Sequence, residues 1–282
     1  MNTKATHMEK PHAKLHTKTE QKTDNAKRPP FRMSHPKPVV PRGLVAVFTA
    51  CIVLVFIYGA ILSIMHQRSM YDHLSDPAAR EANAHVLAYL DGPVFALDDS
   101  DAAMPFFTPD EISHMRDVKW LLDLLFIIYL FALGIMLGTI GVMGFQRLWD
   151  HFDELLARSM RAAGWVIIGG CLFLGAAALL DFTRLWALLH ALLFPQGNWM
   201  FPRESAIITL YPGAFFARFA LWFITMLIIA GVTMLAISHF MLRMRRAKAE
   251  FDERWARRAA QETAGLSRGT TPRAPPRRQA RR

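Results

Sequence analysis

Four long apolar runs constrain the fold of this chain more than any other feature. Of its 282 residues 52% are hydrophobic and 20% are charged, and the hydrophobic residues are concentrated in these runs. A helix needs about 20 residues to cross roughly 30 Å of hydrocarbon. The runs are continuous rather than alternating, which argues against a transmembrane β-barrel. They predict an all-α membrane protein with four spanning helices, at residues 44–65, 120–145, 164–194 and 214–241.

The third run, 164–194, is longer than one span requires, so its last part is expected at or beyond the membrane interface. The first run follows 43 polar residues and lacks a small-residue cleavage site after it. It is therefore interpreted as a retained anchor rather than a cleaved signal. The cysteines Cys51 and Cys171 lie inside spans and are interpreted as packing residues rather than as a disulfide or a metal pair.

The charge distribution predicts the orientation. Residues 1–43 carry ten Lys or Arg against three acids, and residues 243–282 carry thirteen against four. Residues 67–118 carry three Arg against ten acids. Because basic flanks stay cytoplasmic, both termini are expected inside, with loops 66–119 and 195–213 outside.

The net charge of +10 resides mostly on the two tails. Anionic lipids are the expected partner of these tails. Nucleic acid is not expected, because the tails lack interleaved aromatic residues. Residues 1–43 have almost no large apolar side chains and are predicted to be disordered. The membrane domain is placed at 44–242, followed by a cytoplasmic helical extension at 243–264 and a disordered basic tail at 265–282.

Local signals predict structure between the spans. The first outer loop is expected to be partly helical, since Asp76-Pro77 is a typical helix start and Asp91-Gly92 a typical end. Small residues in the second and third spans are expected to permit close helix approach. They are Gly134, Gly138, Gly141, Gly169, Gly170 and Gly175.

The segment around His114 has the composition of a helix start, and it carries side chains capable of acid–base chemistry. Thr108-Pro109-Asp110-Glu111 fits a capping box with proline at the first helical position. Glu111, His114 and Asp117 are spaced by three and share one helical face. A carboxylate beside an imidazole fixes its tautomer and raises its basicity, as a general base requires. The alternative is a set of polar residues that face lipid head groups.

A second histidine, His190, lies near the end of the third run. Upstream, Asp181 and Arg184 are spaced for an ion pair, which would offset the cost of charge near the membrane. The Pro195, Gly197 and Trp199 that follow are expected to end the helix at the interface. Two histidines at one membrane depth, with His66 as a possible third, favour a functional site, although spacing alone does not show that they meet.

Three segments together resemble the signature of a bacterial four-span integral membrane family that includes the lipoprotein intramolecular transacylases. The similarity runs from about Leu44 to Phe240 and excludes both tails. The segments are FTPDEISHMRDVK at 107–119, DFTRLWALLHALLFPQGNWMFP at 181–202 and VLAYLDG at 86–92. The resemblance implies a multi-pass protein of the bacterial cytoplasmic membrane with its active site at the extracytoplasmic face.

The activity that this resemblance implies is an acyl migration. The sn-2 acyl chain of a diacylated lipoprotein in the outer leaflet moves from its glycerol oxygen to the N-terminal α-amine, giving an N-acyl lyso-form, with no metal or other cofactor. The resemblance implies that His114 and His190 carry the catalysis, with His114 favoured as the base beside Asp117. The candidates for binding or orienting the substrate are Glu111, Asp117, Asp181, Arg184, Asn198 and Trp199.

Two alternatives of other classes remain open from the sequence. One is a haem- or metal-binding four-helix membrane protein with His66, His114 and His190 as ligands. The other is a non-enzymatic membrane scaffold in which both histidines are structural.

Overall fold

The computed structural model describes residues 40–94 and 106–268, with side chains described as far as residue 264. These residues belong to one compact unit, residues 39–282. Disorder is predicted for residues 1–43 and 265–282, of which residues 1–39 and 269–282 lie outside the described residues. The first helix begins at Arg42, two residues inside the first of these segments. The last helix ends at Arg268, four residues inside the segment predicted to be a disordered tail.

The described residues form six α-helices and one 3₁₀ turn, without a β-strand. The 3₁₀ turn is Arg68–Tyr71. The helices are α1 (Arg42–Met65), α2 (Pro77–Leu90), α3 (Pro109–Phe145), α4 (Trp149–Leu193), α5 (Ala206–Leu210) and α6 (Gly213–Arg268). Four of them, α1, α3, α4 and α6, are long and apolar enough to cross a membrane. The predicted all-α fold with four spanning helices is confirmed.

Three spanning helices are much longer than the apolar runs. α3, α4 and α6 have 37, 45 and 56 residues. At 1.5 Å per residue they are about 55, 68 and 84 Å long, against roughly 30 Å of hydrocarbon. Hydropathy therefore located the apolar portion of each helix, whereas backbone hydrogen bonding continues the helices well beyond it.

Helix α4 is interrupted at Asp181, whose extended backbone (φ −160°, ψ 91°) separates two helical segments. The Asp181 carboxylate accepts a hydrogen bond from the backbone N–H of Arg184 at 2.9 Å. This is the geometry of an N-cap, so Asp181 starts the second segment, residues 182–193. The break explains how one continuous apolar run supplies both a span and a separate helix that bears His190.

The helix boundaries around the outer loop follow the predicted signals. α2 begins at Pro77 after Asp76 and ends before Asp91. Before α3 both halves of the capping box between Thr108 and Glu111 are present. The start of α3 depends on side-chain bonds within one turn of helix, which is why sequence alone predicts it, whereas Asp76 makes no side-chain capping hydrogen bond at the start of α2.

Close helix packing occurs at glycines other than the expected ones. A Cβ on Gly164 would lie 2.8 Å from Leu235 Cγ and 2.9 Å from the Gly231 carbonyl oxygen. α4 and α6 therefore touch backbone to backbone at Gly164 and Gly231. The expectation for the spans' other glycines was wrong: a Cβ at Gly134, Gly138, Gly141, Gly169 or Gly170 would meet nothing within 4 Å, and one at Gly175 would only touch Ile224. All of them except Gly175 therefore face away from neighbouring helices.

A compact apolar core joins one end of the helical bundle to the 3₁₀ turn, α2 and α5, which pack over that end. It packs the end of α1, the 3₁₀ turn, α2, the start of α3, α5 and the start of α6. We call this the cap core; its buried members are Ile64, Met70, Leu74, Ala82, Val86, Phe107, Ile112, Met115, Ile207, Leu210, Tyr211 and Phe215. It fixes α2 and α5 over the end of the bundle where His114 and His190 lie.

Candidate active site

The fold brings His114 and His190 together. Their ring centroids are 6.3 Å apart and their planes differ by 23°. The rings come from α3 and from the second segment of α4, which are separated by more than 70 residues in sequence. Both histidines line two adjoining cavities, of about 350 and 430 Å³. They therefore lie where the two cavities meet.

The smaller of the two, which we call the apolar cavity, is walled by α1, α2, α3, the second segment of α4 and α6. Apart from the two histidines its polar side-chain groups are the indole N–H of Trp186 and the hydroxyls of Tyr71 and Tyr211. Tyr71 donates to the Met65 carbonyl at 2.7 Å, and burial raises the pKa of Tyr71 to about 12. Its aliphatic wall includes Ile61, Met65, Val86, Leu87, Leu90, Met115, Val118, Leu122, Leu189 and Leu193.

The larger cavity, which we call the second cavity, opens on the other side of the histidines between α4, α5 and α6. Trp186, Ile207, Tyr211 and Phe216 line both cavities. The walls that only the second cavity has include Phe182, Thr183, Trp199, Phe201, Ile208 and Ala217. Trp199, a predicted site residue, thus contributes to this cavity.

His190 is held in one tautomer by the helix that carries it. Its Nδ1 lies 3.0 Å from the Trp186 carbonyl oxygen. A carbonyl only accepts, so Nδ1 carries the proton, and Nε2 of the neutral ring has a free lone pair. The rings of Trp186, Trp199 and Phe194 surround it, at centroid distances of 4.1, 5.0 and 5.5 Å.

His114 has a different environment. It is buried, with 7% of its surface exposed, and its ring packs against Phe194 and Phe201 at 4.8 and 5.6 Å. Its Nδ1 is buried without a hydrogen-bond partner among the described residues. Buried polar atoms without partners are uncommon in proteins. This nitrogen therefore has hydrogen-bonding capacity that the surrounding side chains leave unused.

Asp117 orients a loop rather than an imidazole. Its carboxylate accepts from the side-chain amides of Gln196 and Asn198, at 2.6 and 2.8 Å. The Asn198 amide also donates to Ser113 Oγ at 3.2 Å. Between the two amides, Gly197 has φ +84°, a left-handed conformation that glycine adopts freely. The predicted residues Asp117 and Asn198 are therefore brought together, one turn of helix away from His114.

Glu111 acts as an anchor. Its carboxylate, 1% exposed, accepts from the Thr108 N–H and hydroxyl at 2.8 and 2.9 Å. Its other oxygen accepts from the Ile207 N–H at 2.9 Å. Glu111 thus completes the predicted capping box and also fastens α5, whose Ile207 lines both cavities. It lines neither cavity itself.

Asp181 and Arg184 are both exposed and make no ion pair with each other. The predicted pairing of their side chains does not occur, because the Asp181 carboxylate accepts from the backbone of Arg184 instead. Neither residue lines the cavities, whereas the intervening Phe182 and Thr183 line the second one. In the structure their contribution is to start the helical segment that carries His190.

His66 is not part of the histidine pair. Its Nδ1 lies 2.9 Å from the Leu62 carbonyl oxygen and its Nε2 lies 3.1 Å from Asp91. These contacts raise the pKa of His66, the Leu62 carbonyl more than Asp91. Over the described ranges, no group of three or more His, Cys, Asp or Glu is arranged to hold a metal ion. The three-histidine cluster that the haem or metal alternative requires is not formed by these residues.

Several residues at the site were not predicted. Trp186 fixes the tautomer of His190, and the four-residue spacing between them is the sequence signal for that contact. Phe194 and Phe201 pack on His114, and Gln196 holds Asp117. No local pattern indicates these three contacts, since each joins α3 to a segment about 80 residues away.

Solved structures with a similar fold include three of one membrane protein. The integral membrane lipoprotein intramolecular transacylase Lit from Bacillus cereus aligns with a TM-score of 0.59 and 18% identity, covering 73% of this chain and 97% of that chain. Two structures of its variants, with a histidine replaced by arginine or by alanine, align with a TM-score of 0.56 and 16% identity. They cover 73% of this chain and 94% and 95% of theirs. At this identity the likeness shows a shared fold.

Sequence comparison gives the family. No functionally curated protein matches the chain. The family model described as lipoprotein intramolecular transacylase Lit matches residues 43–216, a region that contains both histidines and both cavities' principal walls. This match covers more than half of the 282 residues, and the chain therefore belongs to the lipoprotein intramolecular transacylase family.

Proposed function

We propose that His114 and His190 catalyse the transfer of an acyl chain within one lipoprotein molecule. The acyl donor is the sn-2 ester of a diacylglyceryl group on the N-terminal cysteine, and the acceptor is the α-amine of that cysteine. The observation that supports this most is the position of the two imidazoles at the junction of the two cavities. An ester and an amine of one substrate fit between two proton-transferring groups there.

The reaction needs only proton transfer and positioning. The neutral amine attacks the ester carbonyl carbon, a C–N bond forms and the C–O bond to glycerol breaks. The proton of the amine moves, through imidazole, to the glycerol oxygen. Positioned acid–base groups supply typically about 10²–10⁴-fold in rate. Nucleophile and ester belong to one molecule, so holding them in contact supplies much of the remaining acceleration.

The two imidazole rings differ in their hydrogen-bonding surroundings, and this difference supports different roles for them. The Trp186 carbonyl behind His190 stabilises the imidazolium that forms when Nε2 takes a proton. His114 lacks a comparable acceptor, and Asp117 is engaged by Gln196 and Asn198. We therefore propose His190 as the base that accepts the amine proton, in place of His114, which the family resemblance favoured for that role. His114 then hydrogen-bonds the reacting ester or the leaving oxygen.

The cavities suit the two kinds of substrate group. The apolar cavity, with its aliphatic walls, accommodates the acyl chain that migrates. The second cavity offers Thr183 and Trp199 beside His190 and suits the glyceryl and cysteinyl portion. Asn198 and Asp117 hold the loop that bears Trp199, and Glu111 holds α5 against both cavities. Asp181 and Arg184 position the helical segment of His190.

This function predicts a specific product in cells. Bacteria that express the chain and lack any other N-acylating enzyme should convert diacylated lipoproteins to an N-acyl lyso-form with unchanged total acyl mass. Mass spectrometry of a lipoprotein N-terminal peptide distinguishes the two isomers, since only the product carries an amide-linked chain. Cells with an empty vector are the control. An unchanged diacyl N-terminus in expressing cells would contradict the proposal.

We further propose that both termini face the cytoplasm, that the histidine pair faces the outer leaflet, and that the basic tails contact anionic lipids. The charge difference between the tails and residues 67–118 supports this orientation. Single cysteines replacing Ser75 and Thr263, with Cys51 and Cys171 changed to alanine, test it. An impermeant thiol reagent should label the Ser75 position in intact cells and the Thr263 position only after lysis. The reverse pattern would invert the topology.

The alternatives lack comparable support. The haem or metal protein requires His66 beside the other two histidines, and His66 is engaged by Leu62 and Asp91. A non-enzymatic scaffold gives no reason for a buried imidazole nitrogen that has no partner in the described part of the chain, at the junction of two cavities. The family match also favours the acyltransferase.

A further inference from the structure

A third cavity lies at the end of the bundle that is distant from the histidine pair. It has a volume of about 670 Å³ and is formed on one side of the packed helices α4 and α6. We call it the basic groove. Its lining residues are Arg161, Trp165, Leu235, His239, Leu242, Arg243 and Arg246. It thus contains three guanidinium groups and no carboxylate.

Helix geometry explains why the arginines meet. α4 and α6 run antiparallel, as shown by contacts of Gly164 with Gly231 and of Ala157 with Ser238. Side chains lean toward the N-terminus of their own helix. Arg161 on α4 and Arg243 and Arg246 on α6 therefore lean toward each other from opposite directions.

The three arginines differ from the basic residues beside them. Arg158 and Arg245 both pair with Glu154, at 2.9 and 3.1 Å, and Lys248 pairs with Asp150 at 3.4 Å. Arg161, Arg243 and Arg246 have no ion-pair partner among residues 40–94 and 106–268. Three neighbouring cations without a counter-charge repel each other, so binding an anion there is favoured.

The groove also has an apolar part, which the binding of a small soluble anion would not require. Trp165, 61% exposed, and Leu235 lie beside the close contact of Gly164 and Gly231, toward the middle of the spans. Arg243 and Arg246 lie just beyond the end of the apolar run of α6, residues 214–241. The groove therefore changes from apolar to basic along the direction in which a phospholipid changes from acyl chain to phosphate.

We propose that the basic groove is a binding site for one anionic phospholipid. Its phosphate is held by Arg161, Arg243 and Arg246, since guanidinium groups bind phosphate oxygens in pairs, and its acyl chain lies along Trp165 and Leu235. Basic pockets between spanning helices are typical head-group sites. The site is independent of the catalytic proposal, because it lies apart from the histidines and its test measures no turnover.

The test compares two triple variants of the full-length chain. Each variant loses three positive charges, and no residue is deleted from either tail. Arg161→Gln/Arg243→Gln/Arg246→Gln removes the groove cations. The matched control, Arg254→Gln/Arg257→Gln/Arg258→Gln, removes three exposed arginines of α6 outside the groove. Thermal unfolding is followed in detergent with added phosphatidylglycerol, phosphatidylcholine or inorganic phosphate.

Phosphatidylglycerol is expected to raise the Tm of the unaltered chain and of the control variant by about 5 °C, and to raise that of the groove variant by less than half as much. Phosphatidylcholine and inorganic phosphate should have little effect. Equal shifts in both variants would assign the lipid to the tails and overturn the proposal. If inorganic phosphate raised the Tm as much as phosphatidylglycerol does, the groove would be a site for free phosphate, and the proposal would also be overturned.

A second measurement does not depend on the folding of the triple variant. Phosphatidylglycerol with brominated acyl chains quenches tryptophan fluorescence at short range, and Trp165 lines the groove. Quenching of the unaltered chain should fall in Trp165→Phe by more than in Trp255→Phe, which removes an exposed tryptophan of the α6 extension. If the two variants lose the same quenching, no lipid chain lies in the groove.

Discussion

Replacing either His114 or His190 with alanine is expected to lower formation of the N-acyl lyso-form by about 10²–10⁴-fold, the usual contribution of acid–base groups. The ring centroids lie 6.3 Å apart, and in the proposed mechanism the two rings act on one proton path from amine to glycerol oxygen. The double variant should therefore be scarcely slower than either single one, since residues that act as a unit are strongly non-additive. Mass spectrometry of the lipoprotein N-terminus measures the product.

The matched control for these variants is His151→Ala. His151 lies in the first turn of α4, at the other end of the bundle and outside all three cavities described above. It should keep full activity. Each variant must also reach the membrane in amounts equal to the unaltered chain, as measured by blotting of membrane fractions. If a single variant keeps its activity, or if the activity loss of the double variant equals the product of the two single losses, the two histidines do not share a proton path.

The parts of the structure that the sequence predicts depend on bonds over short distances in the chain. The four spans follow from apolar length, and the start of α3 follows from Thr108 and Glu111, three residues apart. Family resemblance further predicted the pairing of the two histidines as a catalytic unit, and the structure brings them together. The catalytic role itself stays a prediction.

The parts that the sequence does not predict depend on contacts between distant segments. Asp117 has three-residue spacing from His114, yet amides about 80 residues away compete for its carboxylate and bind it. Asp181 has the spacing of an ion pair with Arg184, but its carboxylate accepts from the backbone N–H of Arg184, and this hydrogen bond starts a helix. Glycine content likewise does not indicate which side of a helix meets a neighbour, as Gly164 and Gly231 show.

A buried ion pair beside the active site supports the position of α2. The Lys119 ammonium lies 3.3 Å from Asp123 and donates to the Gly92 carbonyl at 3.2 Å, just after the end of α2. It also lies 5.7 Å from the centre of the Tyr89 ring. Both charged side chains are almost fully buried, at 5% and 7% exposed. Lys119 thus fastens α2, whose Val86, Leu87 and Leu90 form a wall of the apolar cavity.

Lys119→Met is expected to destabilise the protein by about 3–5 kcal/mol, because it removes the Lys119 cation from beside the buried Asp123 carboxylate. Lys119→Met/Asp123→Asn should recover much of that loss, since neither charge then remains buried. The control Arg254→Met breaks the exposed pair with Glu250, which has the same four-residue spacing, and should cost no more than about 1 kcal/mol. Thermal unfolding in detergent measures all three. If Lys119→Met and Arg254→Met have equal effects, Lys119 does not hold α2 through a buried charge, and the wall of the cavity depends on apolar packing alone.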